Sequence, residues 1–439
     1  MNLSIIGAGL AGSEAALQAA ERGIPVHLIE MRPLQTTPAH VTEYFAELVC
    51  SNSLGSDDQG RAPGLLKAEL GMLRSFLLEI ARKHTVPAGS ALAVDRTQFA
   101  TAVTKAVLEH PLITVIREEA KEIPSGPTII ATGPLTSSSL AQALTEFTGE
   151  ESLQFFDALA PIVSFDTIDM SVAFRGSRYG KGDPGGDYIN CPFTKEEYLH
   201  FYQELHHAEQ IQMRQFEQDD ERFFEACLPV EVIASRGKDS LLFGPLRPVG
   251  LTDPRNDDRP HAVVQLRQDN LAGTLYNLVG FQTNLKFSEQ ERVFRLIPGL
   301  EKADFVRFGQ MHRNTFVNSP TLLQPTLQTR KRADLFLAGQ ITGAEGYVSA
   351  IATGLLTGMN VSRLMKGQNP VILPPKTMLG ALVHYITHAD PFRFQPMKSN
   401  FGLLPPPEQR MKKPERYVYY SRRALDAMAR TIRKNELIQ

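Results

Sequence analysis

Residues 3–32 read LSIIGAGLAGSEAALQAAERGIPVHLIEMR, and this stretch decides the fold. Its first apolar run, residues 3–6, predicts a buried parallel strand, and residues 13–22 predict a helix with a narrow face of alanines. A second apolar run, residues 26–29, predicts another buried strand directly after that helix. The order strand, helix, strand within thirty residues is typical of a doubly wound α/β domain.

The turn between the first strand and the helix has the spacing G-x-G-x-x-G. Such glycines permit a tight turn and a close approach of the backbone to a pyrophosphate, while the helix N-terminus offers free N–H groups to the phosphates. An acidic residue at the end of the second strand can hold a ribose hydroxyl, and the loop after it leaves the sheet beside the expected ligand. A tight turn without a ligand is the alternative, but all parts of the fingerprint are present in order. The predicted dinucleotide-binding residues are Gly7, Ala8, Gly9, Leu10, Ala11, Gly12, Glu30 and Arg32.

Length and composition restrict the class of protein. A chain of 439 residues is too long for one ordinary core and predicts two or three domains. Its net charge of −2, from 46 basic and 48 acidic residues, excludes an overall basic surface, so any RNA site must be a local patch. Neither a signal peptide nor a membrane-spanning run is present, and three widely separated cysteines form neither a disulfide framework nor a metal site. A cytoplasmic protein without a structural metal is therefore expected.

Two later segments repeat the pattern of an apolar strand that ends at a glycine. They are 128–133, TIIATG, and 334–339, DLFLAG, and the second precedes a long uncharged helix around 346–362. Strand ends at Gly133 and Gly339 can border the same cofactor as the first glycine turn, with the late helix pointing its positive end at a flavin. Gln340 stands where this class of flavoprotein often has an acid, which leaves the contact with the flavin ribitol open.

These patterns predict an α/β fold: a Rossmann-like FAD-binding domain of the two-dinucleotide flavoprotein type with a mixed α+β insertion domain. We assign residues 1–160 and 320–370 to the FAD-binding domain and residues 161–319 to the insertion. Residues 371–439 form a basic C-terminal tail that packs on the FAD domain. Apolar runs inside the insertion predict a mostly antiparallel sheet. They are FEACLPVEVI (224–233), LLFGPLRPVGL (241–251), HAVVQLRQ (261–268) and LYNLVGFQTNLKF (275–287).

Three helices are predicted between these landmarks. Residues 65–83 have apolar side chains at helical spacing, and residues 96–108 follow Asp95, a good N-cap. A charged helix is predicted over 196–224. The tail also ends in a helix, where residues 410–439 contain nine basic and three acidic residues. Both a solvated helix and an RNA-contacting face are consistent with that charge.

Short motifs along the whole chain carry a resemblance to a known family. The chain resembles the folate- and flavin-dependent tRNA uracil-5-methyltransferases, and a motif in the tail extends the likeness beyond residue 347. The motifs are GAGLAGSEAA (7–16), EMRP (30–33), FAELVCSNSL (45–54), ALAVDR (91–96), ATGPLTS (131–137), FFEACLPVE (223–231), LLFGPLRPVGL (241–251), AVVQLRQ (262–268), LVGFQTNLK (278–286), MHRNTF (311–316), AGQITGAEGY (338–347) and GLLPP (402–406).

The resemblance implies a reaction. It implies bound FAD, methylenetetrahydrofolate as the one-carbon donor and NAD(P)H as the reductant, with tRNA as the partner and 5-methyluridine in the T-loop as the product. S-adenosylmethionine would not explain the second and third strand–glycine segments. Three alternatives remain open: the same chemistry on ribosomal RNA, a flavin oxidoreductase acting on a small molecule, and a flavin-carrying RNA binder without activity.

The resemblance also implies site residues. A thiolate that adds to carbon 6 of uracil makes carbon 5 nucleophilic, and a second group must act as base or protect the flavin. Cys50 and Cys227 lie in the two cysteine motifs of the family and take these roles, with Cys50 favoured as the nucleophile. Cys191 is interpreted as structural. His312 and Arg313 are candidates to contact folate, and the basic side chains of Arg96, Lys286 and Arg247 are candidates to face RNA or folate.

Overall fold

The fold is an α/β architecture with a separate antiparallel sheet. A computed structural model describes residues 2–150, 153–180, 185–211, 228–255 and 259–438, with the backbone alone for 153–158, 312 and 313. The strands are β1 (Leu3–Ile6), β2 (Val26–Glu30), β3 (Ser53–Ser56), β4 (Thr85–Val86), β5 (Ala91–Val94), β6 (Ile113–Arg117), β7 (Thr128–Ile130), β8 (Leu153–Ala158), β9 (Ile162–Ser164), β10 (Phe174–Gly176), β11 (Tyr188–Phe193), β12 (Ala262–Gln268), β13 (Leu275–Leu278), β14 (Phe305–Arg307), β15 (Met311–Phe316), β16 (Leu335–Leu337), β17 (Ala344–Glu345) and β18 (Met397–Lys398).

Helices pack against both sheets. None of the helices in the described ranges is both long enough and apolar enough to cross a lipid bilayer. The helices are α1 (Leu10–Glu21), α2 (Ala62–Met72), α3 (Phe76–Lys83), α4 (Arg96–Leu108), α5 (Ser138–Thr148), α6 (Lys195–His207), α7 (Val230–Ser235), α8 (Phe287–Phe294), α9 (Ser319–Leu322), α10 (Tyr347–Met365), α11 (Met378–His388) and α12 (Lys413–Asn435).

A five-stranded parallel sheet with the order β16-β7-β1-β2-β6 forms the centre of the molecule. Strand β16 pairs with β7, and β7 pairs with β1, so the three strands that end at glycines lie side by side. Because parallel neighbours end at the same edge, Gly7, Gly133 and Gly339 meet there, as the sequence indicated. The prediction of a Rossmann-like α/β fold is confirmed. Helix α1 begins at Leu10, three residues earlier than predicted, because Gly9 is already its N-cap.

Helices α1 and α10 pack unusually closely on one face of this sheet, and glycines make the contact possible. A Cβ atom on Gly354 would lie 2.3 Å from the carbonyl oxygen of Ala11, and one on Gly358 would lie 2.6 Å from that of Ala15. Both distances are far below van der Waals contact, so the two backbones touch without side chains between them. This contact fixes the N-terminus of α10 against the first glycine turn.

Replacing Gly354 with alanine is therefore expected to lower the free energy of unfolding by about 1–3 kcal/mol, the usual cost of forcing atoms into a packed core. Urea denaturation of the purified protein measures the loss. The matched control is Gly71→Ala on α2, where a new Cβ meets no atom within 4 Å. Equal stability of the two variants would contradict the close packing of α1 and α10.

The second sheet is antiparallel throughout, with the order β10-β11-β12-β13-β9-β14. It has its own hydrophobic core, which includes Phe201, Phe281 and Phe294. The core that surrounds the parallel sheet contains residues from Leu3 to Leu144 and again from Phe316 to Leu437. The domain boundaries that we assigned stay a prediction, although the two cores follow the same discontinuous division.

Several local predictions inside the second sheet are wrong. Residues 230–235 form helix α7, and residues 241–251 contain a single 3-10 turn, Ser240–Phe243, where we expected strands. Two prolines and two glycines in 241–251 interrupt any ladder of hydrogen bonds. The charged helix predicted over 196–224 is helical over Lys195–His207, and residues 212–224 lie outside the described ranges.

The single helix predicted over 65–83 is also wrong, because two helices replace it. Arg74 has a left-handed backbone, with φ +58°, and Ser75 caps the second helix by accepting a hydrogen bond from the N–H of Leu78. The buried carboxylate of Glu14 on α1 accepts the Ser75 hydroxyl at 3.0 Å and the N–H of Leu77 at 2.9 Å. A side chain from a helix that is distant in sequence therefore stabilises the break. The spacing of the apolar residues does not indicate the break.

Candidate functional site

A channel follows the carboxyl edge of the parallel sheet. Most of the residues that we predicted to bind the cofactor line it. Two of them lie behind its wall: the N–H of Ala8 donates to Glu30, and Gly12 packs against Gly7. Whether the lining residues bind a cofactor stays a prediction. The lining residues among those predicted are Gly7, Gly9, Leu10, Ala11, Glu30, Arg32, Gly133, Gly339 and Gln340.

The glycines of the channel divide into two kinds. A Cβ atom on Gly12 would lie 1.8 Å from the carbonyl oxygen of Gly7, so this position serves the close packing of helix on strand. Gly9, Gly133 and Gly346 line the channel itself, and a Cβ atom on any of them would meet no protein atom within 4 Å. The channel therefore keeps free space along three backbone segments, as an elongated ligand requires.

Glu30 is held as a charged carboxylate at the wall of the channel. One carboxylate oxygen accepts the N–H of Ala8 at 2.8 Å, and the other accepts the Arg32 Nε at 2.9 Å. Burial would raise the pKa of Glu30, but the Arg32 guanidinium and the backbone N–H groups outweigh it and lower the pKa. Arg32 is in turn paired with Glu47 at 3.3 Å. Glu30, which the sequence predicts to bind a ribose hydroxyl, is therefore held in a fixed orientation beside the glycine turn.

A second cavity, which is lined by Cys50, adjoins the channel. The two cavities share lining residues at the N-terminus of α10, including Gln340, Gly346 and Tyr347. The positive end of that helix therefore lies at the junction, where it favours negative charge. A ligand in the channel would place one end next to the cavity that holds the cysteine.

The backbone of the cysteine loop is anchored to α10 and to the second sheet. The hydroxyl oxygen of Tyr347 accepts the N–H of Cys50 at 2.7 Å and the N–H of Ser51 at 3.1 Å. The amide of Asn52 donates to the carbonyl oxygens of Val94 and Gln268, and its oxygen accepts the Arg267 Nε at 2.8 Å. Sequence reasoning missed the roles of these side chains. The only signal was that Tyr347, Asn52 and Arg267 lie in three of the quoted motifs.

Two buried arginines give the cysteine loop a cationic environment. Arg96 donates to the carbonyl oxygen of Leu48 at 2.7 Å and pairs with Asp269 at 2.9 Å. Burial would lower the pKa of Arg96, but Asp269 and the electrostatic influence of Tyr347 and Cys50 outweigh it and raise the pKa. Arg267 also interacts electrostatically with Cys50. A cationic environment favours the thiolate form of a cysteine. Arg96 is mostly shielded from solvent, and its predicted contact with RNA or folate stays a prediction.

Tyr347 should control the order of this loop. Replacing it with phenylalanine leaves two N–H groups without their acceptor, and we expect the free energy of unfolding to fall by about 1–2 kcal/mol. We also expect iodoacetamide to alkylate Cys50 several-fold faster, as followed by peptide mass spectrometry, because the loop loosens. The control is Tyr385→Phe, which removes a hydroxyl that donates to Gln395. An unchanged alkylation rate in Tyr347→Phe would argue against the anchoring role.

Lys67 supports β3, the strand that follows the cysteine loop. Its buried Nζ donates to the carbonyl oxygens of Leu54 at 2.8 Å and Gly55 at 3.2 Å. Burial lowers the pKa of Lys67 from 10.5 to about 8.

The unfolded chain therefore holds more protons than the folded chain between pH 8 and 10.5, and the free energy of unfolding should rise with pH in this window. Urea denaturation between pH 7.5 and 10 should show a smaller rise for Lys67→Met than for the wild type. Equal slopes in the two proteins would contradict this account.

The other predicted site residues have different outcomes. Cys227 lies outside the described residues. The backbone of His312 and Arg313 lies in β15, which runs beside the turn at Gly133, and the next residue, Asn314, lines the second cavity. The side chains of His312 and Arg313 are not among those described. Cys191 is fully buried in β11, and burial raises the pKa of its thiol, as expected of a structural cysteine.

Comparison with known proteins identifies the family. The family described as Glucose inhibited division protein A matches residues 2–369. A methylenetetrahydrofolate–tRNA-(uracil-5-)-methyltransferase TrmFO from Moorella thermoacetica is 60% identical over 424 residues, which cover 96% of each chain. The protein of that name from Exiguobacterium sibiricum is 57% identical over 97% of this chain and 98% of its own. The solved structure of Aquifex aeolicus GidA matches with a TM-score of 0.72 at 18% identity, covering 100% of this chain and 76% of the other, which shows the shared fold. The chain therefore belongs to the Glucose inhibited division protein A family and, within it, to the TrmFO group.

Proposed function

We propose that the protein transfers a one-carbon unit from methylenetetrahydrofolate to carbon 5 of a T-loop uridine in tRNA, with FAD bound in the channel and NAD(P)H as the reductant. Relatives at 56–60% identity over nearly the full chain carry the name of this activity. The single observation that supports it best is that the channel adjoins the cavity that holds Cys50, with Gln340, Gly346 and Tyr347 lining both. A cytoplasmic location accords with a tRNA substrate.

The residues of the channel fit FAD. Space beside Gly9 and Gly133 leaves room for a pyrophosphate close to the backbone, and the N–H groups at the start of α1 face it. Glu30 can hold the ribose of the adenosine half, and the N-terminus of α10 lies where the ring system would end. Bound FAD supplies the redox and one-carbon chemistry that the side chains cannot provide.

Cys50 is the proposed nucleophile. Its sulfur forms a bond to carbon 6 of uracil, and the electron pair of the carbon 5–carbon 6 double bond becomes available at carbon 5 for the one-carbon unit. Loss of the proton from carbon 5 then allows the bond between sulfur and carbon 6 to break. Cys227 is proposed either to act as the base or to protect the cofactor. Arg96 and Arg267 favour the Cys50 thiolate, and His312 and Arg313 stay candidates for folate.

The experiment is to incubate the purified protein with a mixture of undermodified tRNA and unmodified ribosomal RNA, together with NADPH and methylenetetrahydrofolate labelled in the methylene group. We expect the label in 5-methyluridine of the tRNA. Label in ribosomal RNA alone would move the assignment to that substrate. Oxidation of NADPH without label in any RNA would favour an oxidoreductase acting on a small molecule, and a protein that FAD cannot turn yellow would contradict the whole proposal.

A further inference from the structure

The positive charge of the protein is concentrated in its last helix. Residues 410–439 contain nine basic and three acidic residues, a net charge of +6, while the whole chain has −2, so residues 1–409 have −8. Helix α12 spans 23 residues and is about 34 Å long. Three acidic side chains, Glu415, Asp426 and Glu436, lie among its basic ones. The exposed basic side chains at or beside α12 are Lys412, Lys413, Arg422, Arg430, Arg433 and Lys434.

The opposite face of α12 is fixed to the protein. Tyr420, Ala424 and Met428 are buried in the core around the parallel sheet. The hydroxyl of Ser421 donates to the carbonyl oxygen of Gln59 at 2.6 Å, which ties the helix to the segment before α2. The basic face is therefore presented outward on a helix that is held in place by the core.

The N-terminal end of α12 lies close to the cavity of Cys50. Lys398, at the end of β18, lines that cavity, and the chain continues from it to Phe401. The ring of Phe401 lies 4.8 Å from that of Tyr417 on α12, and Lys413 Nζ lies 5.8 Å from the Tyr417 ring. Contacts through Phe401 and Tyr417 therefore connect the start of α12 to a segment that borders the cavity.

An RNA backbone fits this surface better than the other polyanions. A membrane-binding helix inserts an apolar face between lipids, but the apolar face of α12 is buried in the protein core. Folded RNA is recognised largely through its shape and its phosphates, which lysine and arginine contact along an extended surface. A long basic helix beside the reactive cavity satisfies both conditions.

We propose that the exposed basic face of α12, residues 412–434, binds the phosphate backbone of the RNA whose uridine enters the Cys50 cavity. This assignment rests on the proposed function, because it takes the occupant of the cavity to be part of a larger RNA. The basic face then holds the RNA beside the cavity and takes no part in the chemical step.

The test compares the wild type with a triple variant, Lys412→Gln with Lys413→Gln and Arg422→Gln, on the holoenzyme. Fluorescence anisotropy at 100 mM KCl with an undermodified tRNA transcript should give a Kd roughly tenfold higher or more for the variant. The slope of log Kd against log salt concentration should fall by about 2–3, near one for each lost contact. The matched control, Lys83→Gln with Lys105→Gln and Lys121→Gln, removes the same charge from other surface elements and should bind within about twofold of the wild type. Equal Kd values for the two triple variants overturn the proposal.

A second measurement follows the reactivity of lysines in the wild type. Bound tRNA should protect Lys412 and Lys413 of the wild type from an acylating reagent, as followed by mass spectrometry, and should leave Lys83 and Lys105 reactive. Lack of protection at Lys412 and Lys413 overturns the proposal. So does a triple variant that loses binding to phosphatidylserine vesicles but keeps its affinity for tRNA.

The outcomes separate this inference from the proposed function. If the wild type binds tRNA through α12 but puts no label into it, the proposed RNA-binding surface is supported and the proposed methyl transfer is contradicted. If label enters tRNA and the triple variant keeps the wild-type KM, the proposed RNA-binding surface is contradicted and the proposed methyl transfer is supported. With both correct, KM for tRNA rises in the triple variant while kcat and the yellow colour stay unchanged.

Discussion

Replacing Cys50 with alanine is expected to reduce methyl transfer to tRNA by roughly 10³-fold or more, since the loss of a nucleophile removes the step that activates carbon 5. The fold should survive, because the hydrogen bonds from the backbone N–H groups of residues 50 and 51 to Tyr347 remain after the substitution. Transfer of label from methylenetetrahydrofolate under single-turnover conditions measures the effect. Retained flavin absorbance and an unchanged Tm show that the protein is intact.

The control for this experiment is Cys191→Ala, which removes a thiol buried in the core of the second sheet, away from both cavities. We expect its activity per folded molecule to equal that of the wild type. Turnover by Cys50→Ala within about tenfold of the wild type would exclude Cys50 as the nucleophile. The same pair of variants distinguishes the methyltransferase from a small-molecule oxidoreductase, whose turnover would not need Cys50.

Replacing Gly9 with valine is expected to raise the Kd for FAD by at least about 100-fold while the protein stays folded. Gly9 has φ −71°, which any residue tolerates, and its Cβ would meet no protein atom, so the new side chain occupies only the space of the channel. That space is where the backbone must approach a pyrophosphate. Titration of the apoprotein with FAD, followed by flavin fluorescence, measures the Kd.

Gly71→Val on α2 is the matched control, because its new side chain also meets open space but lies outside the channel. It should bind FAD as the wild type does. Tight FAD binding by Gly9→Val would mean that the cofactor does not pass the first glycine turn, and the assignment of the channel would fail. Gly12→Ala should instead unfold the protein, because the added Cβ would lie 1.8 Å from the oxygen of Gly7.

Local patterns predicted the parts of the fold whose cause is local. The glycine turn specifies its own geometry, and Asp95 caps α4 over Arg96–Leu108, the predicted residues, by accepting the N–H of Gln98. Three strands that end at glycines met at one sheet edge because parallel strands share a direction. The cofactor channel followed from these features alone.

The environment of Cys50 could not be predicted in this way, because its contacts join distant segments. Asn52 and Arg267 are 215 positions apart, and Tyr347 is 297 positions from Cys50. No periodicity or cap signals such a pair. The break between α2 and α3 could not be predicted for the same reason, because Glu14, which stabilises the break, lies on another helix. The resemblance predicts the role of Cys50, and the fold shows the side chains that hold its loop.

Strand β16 lies far along the chain from β7, the strand with which it pairs, and this separation has a consequence for biosynthesis. The edge of β7 that β16 covers stays open until the ribosome has added roughly 200 further residues, which takes about 10–40 s at ordinary elongation rates. During that interval the nascent chain exposes an apolar strand edge, which invites wrong pairing. Helix α10, which closes the cofactor channel, is made later still. The cofactor can therefore be captured only near the end of translation, and truncated chains that stop before residue 335 should need chaperones and remain colourless.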